Sequence, residues 1–439
     1  MSSFSELDQK WVWHPYTQHG LHHPILPVKR GRGSYLELES GQKILDAISS
    51  WWVNALGHCH PRIAQAISEQ AQELEHVIFA GFTHTPAVRL AEALILATQA
   101  RGAKFEKVFY SDNGSTAVEV ALKMAYQFHQ NRGETKRTRF IALRGSYHGD
   151  TLGAMAVGEP EGFHTCFKPL LAPVDFITPG QVDGLKRLLH QNPGQYAGLI
   201  VEPLIQGAGG MRIHSPEFLK QVAEICREHQ ILLIFDEVFT GFFRTGKAFA
   251  FEKAAVVPDL ICFSKVLTGG FLPLAVTLTT QEIFDQFVGD HLSQAFLHGH
   301  SYTANPLACA AALATWTELC QPETQNQIQR IEQITAERVS RLHGHPAVDE
   351  VRSLGTIGVV ELRGESGYFS QKAPLLRKAA IEKGVLLRPL GNVLYTAPPY
   401  CFTEQELHFT YDVLEQLVEL HGEKTAPRPV GESYSLLES

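Results

Sequence analysis

Residues 231–238 read ILLIFDEV, an uninterrupted apolar run that ends in two acids, Asp236 and Glu237. A strand with one wet face alternates apolar and polar residues. A strand without that alternation is covered on both faces, which is the mark of a parallel sheet between layers of helices. Similar β-rich runs occur at 107–111 (KVFYS), 139–143 (RFIAL), 197–202 (AGLIVE), 260–264 (LICFS) and 274–279 (LAVTLT). Helical patterns separate most of them, at 115–130, at 306–319 and at 215–229, where Ser215 is the N-cap and Pro216 the first helical residue. The core is therefore predicted to be α/β. Past residue 325 the texture changes to a charged helix over 326–342, strands at 356–362, 385–387 and 393–396, and a helix at 373–383, which reads as a smaller α+β unit. The polar, Pro-bearing tail from Lys424 is expected to fray.

Composition limits the partners. With 38 Lys plus Arg against 46 Asp plus Glu, the net charge of -8 provides no basic field for nucleic acid or an anionic membrane. Small molecules or a second copy of the chain remain. The start, MSSFSELDQKWVWHPYTQ, has acids ahead of any apolar run, and no run reaches the roughly 18 apolar residues that span a bilayer, so a cytoplasmic location is expected. The seven cysteines (59, 166, 226, 262, 309, 320 and 401) are odd in number, scattered and never in a C-x-x-C pair, which argues against a disulfide framework and a zinc ribbon.

In open parallel sheets ligands bind beyond the carboxyl ends of the strands, so the residues that follow each run carry the functional reading. After KVFYS come Asp112, Asn113, Gly114, Ser115 and Thr116, an arrangement that offers bare amides and a hydroxyl to a phosphate, or serves simply as an N-cap. Asp236 needs a partner at the end of so apolar a strand. Lys265 follows LICFS, where burial would leave it either paired or a low-pKa amine ready to condense with a carbonyl. Residues 241–247 fit the G-x-x-x-x-G-K spacing of a nucleotide-binding loop, but Ala248 stands where a magnesium-binding hydroxyl belongs and Phe242-Phe243 suit a packed turn. The histidines of 58–60 and 298–300 lack the spacing and the carboxylate of a metal site, so no metal is expected.

A strand-end amine, a carboxylate on the preceding strand and a phosphate cup together meet the requirements of pyridoxal 5'-phosphate. From residue 13 to residue 400 the chain resembles the class III (subgroup II) aminotransferases, through DEVFTGFFRTGK, PDLICFSKVLTGG, EPLIQGAGG and ANPLACAAA. WHPYT at 13–17, SWW at 50–52, SYHGD at 146–150 and LRPLG at 387–391 are similar to the branch that aminates 8-amino-7-oxononanoate in biotin biosynthesis. The resemblance implies fold type I, a large domain (50–325) with a mostly parallel seven-stranded sheet, and a smaller α+β domain from 1–49 and 326–439. It implies that Lys265 holds the cofactor through its amine and then shuttles the substrate proton, and that Asp236 keeps the ring nitrogen protonated. Tyr147 would stack on the ring, Gly114 and Ser115 would hold the phosphate, and Glu202 with Gln206 would line the site. His300 and Ser301 would reach the cofactor, Ser301 from the neighbouring subunit of a homodimer. Tyr16, Trp51, Trp52, Arg244, Gly299, Arg388 and Tyr395 would bind substrates. The amino donor in most of that branch is S-adenosylmethionine, and lysine is the alternative because His300-Ser301-Tyr302 replaces the Pro-Thr-Phe associated with some adenosylmethionine users. Phe243 stands where the family pattern has Gly. The rival readings are a class III enzyme acting on ω-amino acids or ornithine, a nucleotide hydrolase, and a cofactor-free protein in which Asp236 and Lys265 form an ion pair.

Overall fold

The unbroken apolar runs pair into one seven-stranded sheet in the computed structural model, which describes residues 4–21, 25–159, 162, 164–364, 367, 370 and 372–425. In chain order its strands are β1 (Phe105–Ser111), β2 (Arg139–Leu143), β3 (Asp175–Ile177), β4 (Tyr196–Val201), β5 (Leu232–Asp236), β6 (Leu260–Phe263) and β7 (Ala275–Thr280). In space they run β1-β7-β6-β5-β4-β2-β3. β7 is antiparallel to both its neighbours and all other pairs are parallel, so the sheet is mostly parallel, as expected. Every residue of β4 and of β6 is buried, which is why neither shows polar alternation. β3 answers to no run in the sequence reading; its three residues are too few to establish a period.

The expected helices form with local reasons for where they start. Asn113 accepts from the Thr116 amide (3.0 Å) and Thr116 Oγ1 accepts from the Asn113 amide (3.1 Å), a reciprocal cap that opens helix Gly114–Asn131. Ser215 and Asn305 cap helices Pro216–Glu228 and Pro306–Leu319 by a single bond, accepting the amides of Phe218 and Ala308, and each is followed by a proline that needs no hydrogen-bond partner. Helix Gly114–Asn131 lays Ala117, Val118 and Ala121 against Ile200, Ile234 and Cys262 on one face of the sheet.

The chain ends meet beside this core. Strand Lys43–Asp46 pairs in parallel with Val385–Leu386, so the segment before the sheet and the segment after it share a second sheet. Val348–Leu354, Ile357–Leu362 and Val393–Thr396 form a third, antiparallel sheet, packed on helix Pro322–Ser340. All seven cysteines are free. Among the described residues no helix is long and apolar enough to cross a membrane. The tail that was expected to fray lies outside the described residues from residue 426 onward.

Candidate active site

Four strands of the sheet end at one cavity of about 600 Å³. β1 runs into Gly114 and Ser115, β4 into Glu202, β5 ends on Asp236, and β6 is followed by Ser264 and Lys265; all of these line the cavity. This is the carboxyl edge of the parallel strands, where their ends leave a crevice.

Lys265 adopts a left-handed backbone (φ 46°) and sends its amine over the indole of Trp52, 4.7 Å from the ring centre. Burial pushes that amine down to about 8, while the carboxylates of Asp236 and Glu202 pull the other way. Asp236 does not pair with it. Its Oδ2 meets His148 Nδ1 at 2.7 Å and its Oδ1 accepts the Val238 amide at 3.0 Å, so the buried charge is satisfied by other partners. Glu202 accepts amides from Tyr147 (3.0 Å) and Gly207 (2.8 Å); burial nonetheless raises it to about 7, against the opposing pull of His148 and with Asp236 adding to the rise. Glu237, the second acid of ILLIFDEV, lies outside this site. It accepts the amides of Ala250 and Phe251 at 2.7 and 2.8 Å, and burial raises it to about 8.

The residues present fit pyridoxal phosphate. At the start of an 18-residue helix the backbone is kept bare: a Cβ on Gly114 would lie 2.7 Å from Val238 Cγ1, and one on Gly149 (φ 126°) would lie 2.1 Å from Ser115 Oγ. Glycine is therefore required at both positions, and the cradle combines free amides, the Ser115 hydroxyl and the positive end of a helix dipole, which suits a phosphate. Across the cavity stand a low-pKa amine and an oriented carboxylate, the two groups that a pyridoxal ring needs.

The mouth is aromatic. Trp52 is buried and donates Nε1 to Tyr395 Oη at 3.1 Å, whereas Trp51 is 38 % exposed and carries the Arg388 guanidinium 4.4 Å above its ring. Tyr16 packs edge-on to Trp51 (5.4 Å) and reaches the Tyr147 hydroxyl (3.2 Å) and the Asp150 carboxylate. Tyr147 Oη also donates to Asp150 at 2.9 Å. Thus Lys265, Asp236, Tyr147, Gly114, Ser115, Glu202 and Trp52 line one cavity, with Trp51, Tyr16 and Arg388 joined to one another at its mouth.

Several expected site residues stand outside this lining. Arg244 was expected to bind substrate, but it is fully buried behind the wall; its guanidinium donates to Pro398 O (2.8 Å), Thr356 Oγ1 (3.3 Å) and Ser49 Oγ (3.3 Å) and lies over Tyr400. Tyr395 is 1 % exposed and supports Trp52 from behind instead of facing the cavity. Gln206 gives its amide to Arg144 O at 2.9 Å and is not a lining residue. Gly299, His300 and Ser301 do not line the cavity of their own chain. His148 is the residue that the sequence reading missed. It sits in SYHGD directly after β2, so the strand-end rule that singled out Lys265 also pointed to it.

The turn at 241–248 is a packed corner and not a phosphate cradle. The amides of Gly241, Phe243 and Gly246 are bonded to Glu237, Ala248 and Phe243 carbonyls, and Lys247 is exposed. Phe242 (φ 56°) and Phe243 (φ 71°) both occupy the left-handed region, which explains why the family pattern has glycine at 243. Phe243 instead stacks on Trp316 (6.2 Å, 18°). Phe243→Gly relieves about 1–2 kcal/mol of left-handed strain but removes a buried ring whose truncation costs about 3–5 kcal/mol. A net loss of about 2 kcal/mol is expected in urea unfolding; a variant more stable than wild type would contradict this.

Comparison with known proteins agrees with this geometry. The aminotransferase class-III family matches residues 16–418. Adenosylmethionine-8-amino-7-oxononanoate aminotransferase of Synechococcus elongatus is 45% identical over 424 residues, covering 93% of this chain and 98% of that protein. The Helicobacter pylori protein of the same name is 38% identical, covering 92% and 95%. The crystal structure of the Methanocaldococcus jannaschii protein of that name superposes with a TM-score of 0.90 at 37% identity, covering 95% of this chain and 98% of that one. An amine transaminase from an uncultivated Pseudomonas species, solved with pyridoxal phosphate bound, has a TM-score of 0.88 at 30% identity, covering 94% and 99%.

Proposed function

We propose that this chain, which belongs to the class-III aminotransferases, moves an amino group onto the carbon 7 ketone of 8-amino-7-oxononanoate, yielding 7,8-diaminononanoate for biotin biosynthesis. The observation that carries the reading is the wall of the cavity. The Lys265 amine lies over Trp52, which lines the cavity, and next to it in the chain Trp51, outside the lining, carries the Arg388 guanidinium, so an apolar surface with a cationic tip adjoins the cavity. A nonanoate has the complementary shape, greasy along its chain and anionic at its end. S-adenosylmethionine is the proposed amino donor, taking its name from the relatives.

Bound pyridoxal phosphate supplies an electron sink for the carbon that loses its proton. The proposed roles of the protein groups follow from their chemistry. Lys265 anchors the cofactor through Nζ and then, freed by the incoming amine, takes and returns the substrate proton; an amine near 8 is neutral often enough to act as base close to neutral pH. Asp236 holds the proton on the ring nitrogen, and His148 keeps that carboxylate aimed. Gly114 and Ser115 bind the phosphate, Tyr147 covers the ring, and Trp52 keeps water from the reacting carbon. Donor and acceptor use the same cavity in turn, which requires ping-pong kinetics.

We further propose a cytoplasmic homodimer in which Gly299, His300 and Ser301 complete the partner's site; their position outside their own cavity supports this. The proposed domain division is 50–325 against 1–49 with 326–439. It is supported by a seven-stranded sheet contained within residues 105–280 and by the pairing of strand Lys43–Asp46 with Val385–Leu386.

The test is turnover of 8-amino-7-oxononanoate with S-adenosylmethionine or lysine as donor, read as diaminononanoate by mass spectrometry. Activity with pyruvate or 2-oxoglutarate and none with 8-amino-7-oxononanoate would sink the reading. Arg388→Ala removes a bidentate, charge-assisted contact worth about 1.5–3 kcal/mol, so the KM for 8-amino-7-oxononanoate rises roughly ten- to a hundredfold. An unchanged KM would remove Arg388 from the site.

A further inference from the structure

The two indoles of the substrate wall stand on a contorted backbone. Ser49 (φ 52°), Ser50 (φ 59°) and Trp52 (φ 67°) all occupy the left-handed region, although each carries a side chain. Such a stretch persists only where its surroundings over-determine it.

Asp46 supplies much of that constraint. It is fully buried at the end of strand Lys43–Asp46, where Oδ1 accepts the Ile48 amide (3.3 Å) and Oδ2 accepts both the Ser50 amide (2.6 Å) and the Ser50 hydroxyl (3.0 Å). Oδ2 also meets His58 Nε2 at 2.9 Å. Asn54 Nδ2 donates to His58 Nδ1 at 2.8 Å, which leaves the proton on Nε2 facing Asp46. The imidazole packs closely on the backbone of Gly31, where a Cβ would come within 2.8 Å of His58 Cγ. From the opposite side Ser49 Oγ donates to Ala397 O (2.8 Å) and accepts from Arg244. This places the missing substrate contact, Arg244, in the scaffold of the same segment.

We propose that Asp46 is a positioning residue for substrate recognition: through Ser50 it sets the placement of the adjoining Trp51, and so the fit of the long apolar chain. Asp46 touches no part of the cavity. The proposal rests on the reading of the two indoles as the substrate wall. A residue that acts only on that wall alters substrate affinity more than the chemical step, and it loses its effect once the wall is gone.

The experiment is a double-mutant cycle on the holoenzyme, with Asp46→Asn, Trp51→Ala and the two combined, read as KM and kcat for 8-amino-7-oxononanoate. Asp46→Asn is expected to raise KM about tenfold and to change kcat less than about threefold, with no further rise in KM when added to Trp51→Ala. Ser50→Ala removes one bond to Asp46 without disturbing a buried carboxylate. It is expected to raise KM about twofold, again only when Trp51 is present. This milder variant keeps the test open if Asp46→Asn does not fold. Additive effects, or a fall in kcat with KM unchanged, overturn the proposal while leaving the wall reading intact. If Trp51→Ala itself leaves KM unchanged, the wall reading falls and the proposal falls with it.

Discussion

Lys265→Ala is expected to lower transamination by at least about a thousandfold, because in its proposed role one side chain both anchors the cofactor and carries the substrate proton, and general acid–base catalysis alone is worth about 10²–10⁴. The variant also fails to develop the visible absorbance of a lysine-bound pyridoxal, and that separates a lost anchor from a damaged pocket. Wild type carries a further signature. Its amine is held near 8 by burial, so apo-protein below that pH has Nζ protonated and without a free electron pair. Uptake of pyridoxal phosphate therefore accelerates as pH rises through about 8 and then levels off. An unperturbed lysine would keep accelerating to about 10.4. Stopped-flow absorbance across that range distinguishes the two, and levelling only near the ordinary lysine value would show that the amine is not desolvated in solution. Retention of more than about a tenth of wild-type activity in Lys265→Ala would remove it from the chemistry.

The sequence showed where the site is more fully than how it is held. Asp236 and Lys265 were legible because each follows a run too apolar to have a wet face, and the ends of parallel strands converge on one crevice. The capped helix start that we propose as the phosphate cradle was legible through Asn113, Gly114 and Ser115, whose cap and bare amides are local properties of a helix start. Arg244 and Tyr395 were misplaced because spacing along a chain does not say which side of a turn or strand faces the ligand. Arg244 follows two left-handed phenylalanines and ends up behind the wall, not in it. β3 escaped notice because three residues carry no period. The contorted backbone at 49–52 was also invisible: nothing in Ser-Ser-Trp-Trp announces left-handed φ values, which are held by Asp46 at the end of the preceding strand and by Ala397 from a distant part of the fold.

The oriented carboxylate gives the second large effect. Asp236→Asn is expected to lower kcat about a thousandfold, the scale of losing one preorganised charge from a dry site. The substitution keeps an oxygen to accept the Val238 amide, and its Nδ2 can donate to His148 Nδ1 in the other tautomer, so the cavity keeps its shape while the negative charge disappears. In its proposed role the Asp236 carboxylate would hold the proton on the ring nitrogen of bound pyridoxal phosphate, so its loss would weaken the electron sink that this group supplies. Asp236 also raises the Lys265 amine against burial. Without it the amine falls further, and cofactor uptake in the variant begins at lower pH than in wild type. The two readouts therefore move in opposite directions: anchoring extends to lower pH while turnover collapses. A merely misfolded variant would lose both together. Wild-type kcat in Asp236→Asn would show that the carboxylate only stabilises the fold around His148, and the assignment of the ring-nitrogen partner would have to move to another residue.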